Sequence, residues 1–161
     1  MKIKFKTVIQ NPSLLISTGF GIGLIPFAPG TFGSGVGLCL YIFLAHFTQE
    51  TIINGVLVYC MLLAISLFVV HQSIKQLGNK DHQEIVIDEI LAMMLVAHFI
   101  PPDPKWAIGG FVLFRFFDIV KPFPIRQIEV SQNNAFGIII DDQIAAGYSI
   151  IVILIMKYLM F

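Results

Sequence analysis

The sequence predicts an all-α integral membrane bundle of about five hydrophobic helices with a Gly/Pro-rich loop near its N-terminus, and three observations lead there. Of 161 residues, 57% are hydrophobic and 12% charged, with a mean hydropathy of +0.85; soluble domains carry about 25% charged residues. Such a chain lacks the charge to clothe a water-facing surface. Apolar runs recur over 34–47, 51–70, 85–100, 106–120 and 144–161, separated by short polar or proline-rich breaks. The few charged residues gather in those breaks and at the ends of the runs.

Taken in order, residues 1–6 are basic, but Pro12 and the glycines from Gly19 to Gly23 interrupt the apolar stretch behind them. No small-residue cleavage site succeeds a clean apolar core, so a cleaved signal peptide is not expected. Ser13 to Phe27 reads as a helix breaking into a loop at a membrane face, and Pro29 to Gly35 as a glycine-rich loop entering the first long helix. A full crossing needs about 20 apolar residues; only 51–70 reaches that comfortably, so other helices are expected to dip or end inside the bundle. Thr51, Asp81, Asp103 and Asp142 sit at expected helix starts, where side-chain oxygens cap free amides. Pro101, Pro102, Pro104, Pro122 and Pro124 mark the breaks. Cys39 and Cys60 lie inside apolar runs and read as core thiols. The whole chain, 1–161, reads as one domain without internal repeats.

Ten acidic and ten basic residues cancel, so no global field attracts nucleic acid. An odd number of crossings puts Lys2, Lys4, Lys6, Lys75, Lys80, Arg115, Lys121 and Arg126 on one side, leaving Lys105 and Lys157 on the other. Basic residues favour cytoplasmic loops, so the N-terminus is expected inside. The same assignment gathers the 30–35 loop, Asp88, Glu89, Asp118, Lys121, Arg126, Asp141 and Asp142 at that face.

Asp88 and Glu89 stand in an otherwise apolar segment, where an acidic residue at a helix centre costs about 2.5–3.5 kcal/mol. Asp88 capping a helix that begins at Glu89 is one explanation, but a cap needs one carboxylate. Asp141 and Asp142 repeat the pattern ahead of the last helix, where capping and the helix dipole are again an alternative. Four carboxylates brought together call for a cation, and hard oxygen ligands favour Mg²⁺. Arg115 and Asp118 share a helix face and read as an ion pair; Lys121, ahead of Pro122, is expected to leave helical geometry with its ammonium free to meet an anion, Arg126 close behind. Contact with anionic lipid headgroups is the alternative for both cations. The glycines of Pro29 to Gly35 suit either a phosphate cradle or, through Gly33 and Gly37, close helix packing. Of the histidines, His98 reads as packed or interfacial and His82 as the one near the acids.

The ordered set Gly30-Thr31-Phe32-Gly33-Ser34, Asp81-His82 with Ile85-Val86-Ile87-Asp88-Glu89, the run Phe114 to Arg126 containing Arg115, Asp118, Lys121 and two prolines, and Gly137 to Asp142 resembles the phosphatidylglycerophosphatase A family from about Gly19 to Gly147. The resemblance implies a Mg²⁺-dependent lipid phosphatase of the bacterial inner membrane, multi-pass, with its site on the cytoplasmic face, converting phosphatidylglycerophosphate to phosphatidylglycerol and inorganic phosphate. On it, Asp88, Asp118 and Asp142 are assigned as metal ligands, Glu89 and Asp141 as supporting ligands or bases, and Thr31, Ser34, Lys121 and Arg126 as phosphate contacts. Partners are then the lipid phosphate and membrane lipids, with a second copy of the chain left open. Direct attack of water is the expected route, since no two aspartates are separated by a single residue as an Asp-x-Asp nucleophile motif requires. A cation or proton transporter is the main alternative, because intramembrane carboxylates beside broken helices also line ion paths; a scaffold that pairs through Gly-x-x-x-Gly leaves the acidic pairs without a purpose.

Overall fold

A computed structural model describes residues 3–47, 52–78, 82–127 and 134–160 of the chain. Every regular element among them is helical: α1 (Phe5–Gln10), α2 (Pro12–Ser17), a 3-10 turn (Ile22–Leu24), α3 (Pro29–Phe47), α4 (Ile52–Leu77), α5 (Ile87–Phe99), α6 (Pro104–Val120) and α7 (Ala135–Met160). Thr51 and Asp81, read as caps, lie outside the described residues, as do Lys2 and Lys80.

Local chemistry explains the boundaries. Pro12 opens α2 at a position where its missing N–H costs nothing. Gly19 and Gly21 adopt left-handed backbone (φ 57° and 93°) after α2, which ends the helix and turns the chain toward the 3-10 turn. Asp103 caps α6 as expected, its carboxylate accepting from the Lys105 amide at 2.7 Å, with Pro104 next in line. Lys121 leaves helical geometry at the end of α6, in left-handed backbone with φ 46°.

α5 is the centre of the bundle. It packs against α3, α4, α6 and α7, and Ala92, Met93, Val96, Phe114, Ala145 and Ile153 form the main core around it. Gly33 and Gly37 bring α3 onto it: a Cβ at Gly33 would lie 3.0 Å from Val86 Cβ, and one at Gly37 would strike the Ile90 carbonyl. The Gly-x-x-x-Gly face is therefore a helix contact within this chain. Residues 29–35, read as a loop entering a helix, already belong to α3.

Polarity is inverted relative to a soluble domain. Ser17, Ser34, Ser73, Ser149, Asp88, Asp141 and Asp142 are buried, while Leu57 and Phe68 of α4, Ile108 and Ile119 of α6, and Tyr158 of α7 are exposed. Large apolar surface of this kind needs an apolar solvent or partner. Among the described residues, two helical stretches, Gly55–Leu77 and Ala135–Met160, are long and apolar enough to cross a membrane. The 13 residues of α5 extend only about 20 Å, short of a hydrocarbon core of about 30 Å.

Three expectations are corrected. α7 begins at Ala135, nine residues ahead of the expected start, so Asp142 lies inside a helix and caps nothing; Asn134 accepts from the Gly137 amide at 2.9 Å instead. Cys39 and Cys60 are exposed, because α3 and α4 turn those faces away from the bundle. α5 starts at Ile87, not Glu89, which places both Asp88 and Glu89 in its first turn.

Candidate active site

The site forms where one end of α5 meets α3, α6 and α7. The start of α5 is pinned first: the Val86 amide donates to the Ser17 carbonyl at 2.9 Å, and the Val86 side chain fills the space left by Gly19 and Gly33. This anchor aims the next turn inward. Asp88 is buried and accepts from the Glu89 amide at 3.0 Å. Asp141 and Asp142, in the second turn of α7, are buried too, with Asp141 accepting from the Asp142 amide at 3.0 Å.

Asp88, Glu89 and Asp142 each offer an oxygen, and the three oxygens lie within 4.8 Å of one another. Glu89 joins two of the three residues assigned as metal ligands on the resemblance, and the third, Asp118, lies against Asp142 at the edge of the trio. Glu89 Oε2 and Asp142 Oδ2 are buried and have no protein partner. Unit charges 4.8 Å apart repel by about 3.5 kcal/mol at an effective dielectric of about 20. Three ionised pairs would cost about 10 kcal/mol, the scale of a whole domain's net stability. Hard carboxylate oxygens with unfilled lone pairs are a donor set that fits a divalent cation of the Mg²⁺ type.

The cations stand around the trio. Arg115 Nη1 pairs with Asp118 Oδ2 at 2.6 Å, the ion pair that the three-residue spacing suggests. Lys121 Nζ binds Asp141 Oδ2 at 2.9 Å, so the ammonium expected to be free is held by a carboxylate. The pairing joins the end of α6 to the second turn of α7. Ser34 is fully buried and donates to the Gly30 carbonyl at 2.8 Å while receiving Arg115 Nη1 at 3.3 Å. Its hydroxyl is engaged by protein groups on both sides. Gly30 owes its place to Glu89: a Cβ there would overlap the Glu89 Oε1 atom. Thr31 is half-buried in the first turn of α3, and Arg126 is exposed on the helical turn at 125–127.

Two residues of the site were not singled out from sequence. Tyr59 of α4 donates its hydroxyl to Gln143 Oε1, and lies 3.4 Å from the Leu91 carbonyl. Gln143 Nε2 is buried without a partner beside Asp142. A polar amide two turns into an apolar helix was the signal available for Gln143; Tyr59 in its apolar run carried none. His98 is exposed and meets the Tyr41 hydroxyl at 3.1 Å, while His82 Nδ1 lies 3.8 Å from Glu84. Asp81, part of the motif with His82, lies outside the described residues.

Comparison with known proteins identifies the family. The family model for Phosphatidylglycerophosphatase A matches residues 15–157. The Phosphatidylglycerophosphatase A of Haemophilus influenzae is 40% identical over 156 residues, covering 96% of this chain and 94% of that one. Its namesake in Escherichia coli K12 is 36% identical over 147 residues, covering 91% and 84%. A Bacteroides thetaiotaomicron protein, provisionally named a phosphatidylinositol-3-phosphatase, is 32% identical over 159 residues, covering 93% and 98%. No solved structure matches the chain. With a family match spanning the carboxylate trio and every helix that positions it, the chain belongs to the phosphatidylglycerophosphatase A family of phosphatases.

Proposed function

We propose that this phosphatase hydrolyses phosphatidylglycerophosphate to phosphatidylglycerol and inorganic phosphate, with Mg²⁺, as a multi-pass protein of the bacterial inner membrane whose site opens to the cytoplasm. The observation that carries the reading is the buried trio Asp88, Glu89 and Asp142 with two unpartnered oxygens, set among cations at one end of an apolar-surfaced bundle. The names of the two relatives supply the lipid. Asp141 and Asp142 lie in the first half of α7, about midway between its first residue and its centre. With Asp88 and Glu89 in the first turn of α5, that placement supports a headgroup-level reaction, in which the acyl chains stay in the bilayer, over an ion path through the middle.

Asp88, Glu89 and Asp142 would hold the ion, which when bound neutralises phosphoryl oxygens and lowers the pKa of water. Asp118, fixed by Arg115, lines the edge of the trio. Asp141 is assigned as the carboxylate that takes a proton from the attacking water and returns one to the departing glycerol oxygen. Lys121, anchored on Asp141, brings positive charge to the same side, and Thr31 offers a hydroxyl at the start of α3. Exposed Arg126 draws the anionic headgroup in.

The test is phosphate release from phosphatidylglycerophosphate by detergent-purified protein, with Mg²⁺ or chelator, beside phosphatidic acid and phosphatidylinositol 3-phosphate. Selective, metal-dependent release is expected, and Asp88→Asn should lower kcat about a thousandfold with helicity unchanged. Absence of release from all three lipids by folded protein with Mg²⁺ would reject the reading and direct attention to ion flux.

A further inference from the structure

We propose that the Arg115 guanidinium binds the phosphoryl group at this site, with Ser34 and Asp118 as positioning residues; this rests on the phosphatase reading above. The ion pair with Asp118 is made through Nη1. Nη1 serves both Asp118 Oδ2, at 2.6 Å, and Ser34 Oγ, at 3.3 Å. Because the Ser34 proton is committed to the Gly30 carbonyl at 2.8 Å, its oxygen acts toward Arg115 as an acceptor. Arg115 is thus clamped through Nη1, and its Nε is buried with no partner.

A charged donor left unmade in an apolar bundle is costly, and here orphan acceptors lie nearby. Gly30 shows how near: a Cβ there would lie 3.3 Å from Arg115 Nη1 and would also overlap Glu89 Oε1. Yet Arg115 Nε and Glu89 Oε2 leave each other unsatisfied, as does Asp142 Oδ2. A ligand that satisfies both sides must present negative oxygens to the guanidinium and a positive charge to the carboxylates. A phosphate monoester accompanied by a divalent cation has that composition, and a planar guanidinium edge suits tetrahedral oxyanions better than an ammonium. Lys121 is a poorer candidate, since its ammonium is held by Asp141. The same group serves the lipid phosphomonoester and the released inorganic phosphate.

The experiment uses full-length protein in detergent micelles with Mg²⁺, comparing wild type with Arg115→Lys, Arg115→Ala and Ser34→Ala. Lipid turnover is followed beside calorimetric titration with inorganic phosphate and, separately, with Mg²⁺. Arg115→Lys should lose about a hundredfold in kcat/KM. Arg115→Ala should lose at least as much and regain part of it with added guanidinium. Phosphate affinity should fall in parallel in both while Mg²⁺ affinity stays as in wild type. Ser34→Ala should lose about tenfold in kcat/KM with unchanged Mg²⁺ affinity. Turnover within threefold of wild type in Arg115→Lys, or phosphate affinity unchanged in that variant, would overturn the assignment. If no lipid is hydrolysed by wild type, the phosphatase reading fails by itself, and the phosphate titration still decides whether Arg115 forms an anion site.

Discussion

Removing one carboxylate from the trio should make the metal-free protein more stable while abolishing its response to metal. In Asp142→Asn the side chain keeps its shape and loses its charge, and with it two of the three repulsive pairs among oxygens within 4.8 Å. At about 3.5 kcal/mol per pair the Coulomb ceiling is about 7 kcal/mol. Proton uptake and local relaxation relieve most of that in the native protein, and the realised gain is about 2 kcal/mol, within the usual size range of single-residue effects. For a chain of 161 residues this corresponds to a rise of about 4–8 °C in Tm in chelator. Wild type should instead gain about 2.7 kcal/mol when Mg²⁺ reaches a hundredfold over its Kd, and the variant almost nothing. The two melting curves therefore cross as Mg²⁺ is added, which thermal unfolding of detergent-solubilised protein monitored by tryptophan fluorescence would show. A variant less stable than wild type in chelator, or one keeping the full Mg²⁺-induced rise, would refute the view that the trio is a strained cation site.

Single contacts set further expected outcomes. Gly37→Ala drives a methyl into the Ile90 carbonyl, a backbone atom that cannot swing aside, and should cost about 2–3 kcal/mol, read as a fall in Tm. Tyr59→Phe strips the donor from Gln143 Oε1 and should cost about 1–2 kcal/mol, with Mg²⁺ affinity within threefold of wild type. Hydroxylamine added during turnover should trap no acyl phosphate; a stoichiometric hydroxamate would establish an aspartyl-phosphate route in place of direct water attack.

Much of the architecture is legible in composition because burying or exposing apolar surface is a local, additive property. The five runs mapped onto α3 to α7, and Asp103 capped α6 where an acid precedes proline. Boundaries shifted where tertiary contacts outweigh propensity. Gly30, Gly33 and Gly35 look like a loop by composition, yet they are helical, and Gly33 with Gly37 lets α3 lie close against α5. Gly137 and the isoleucines ahead of Asp141 extended α7 backward, turning an expected cap into a buried helical pair.

The sequence by itself determined that acids and bases share one end of an apolar helical chain, since paired carboxylates in such runs are too costly to be incidental. It also marked Asp88, Glu89, Asp118, Asp141 and Asp142 as a group. Only the tertiary structure decided who faces whom. Glu89 joined Asp88 and Asp142, Asp118 went to Arg115, Asp141 to Lys121, and Ser34 became the support of a guanidinium. Those pairings depend on the rotation and depth of four separate helices, set by glycine contacts and side-chain volumes far apart in the chain, and no local pattern encodes them.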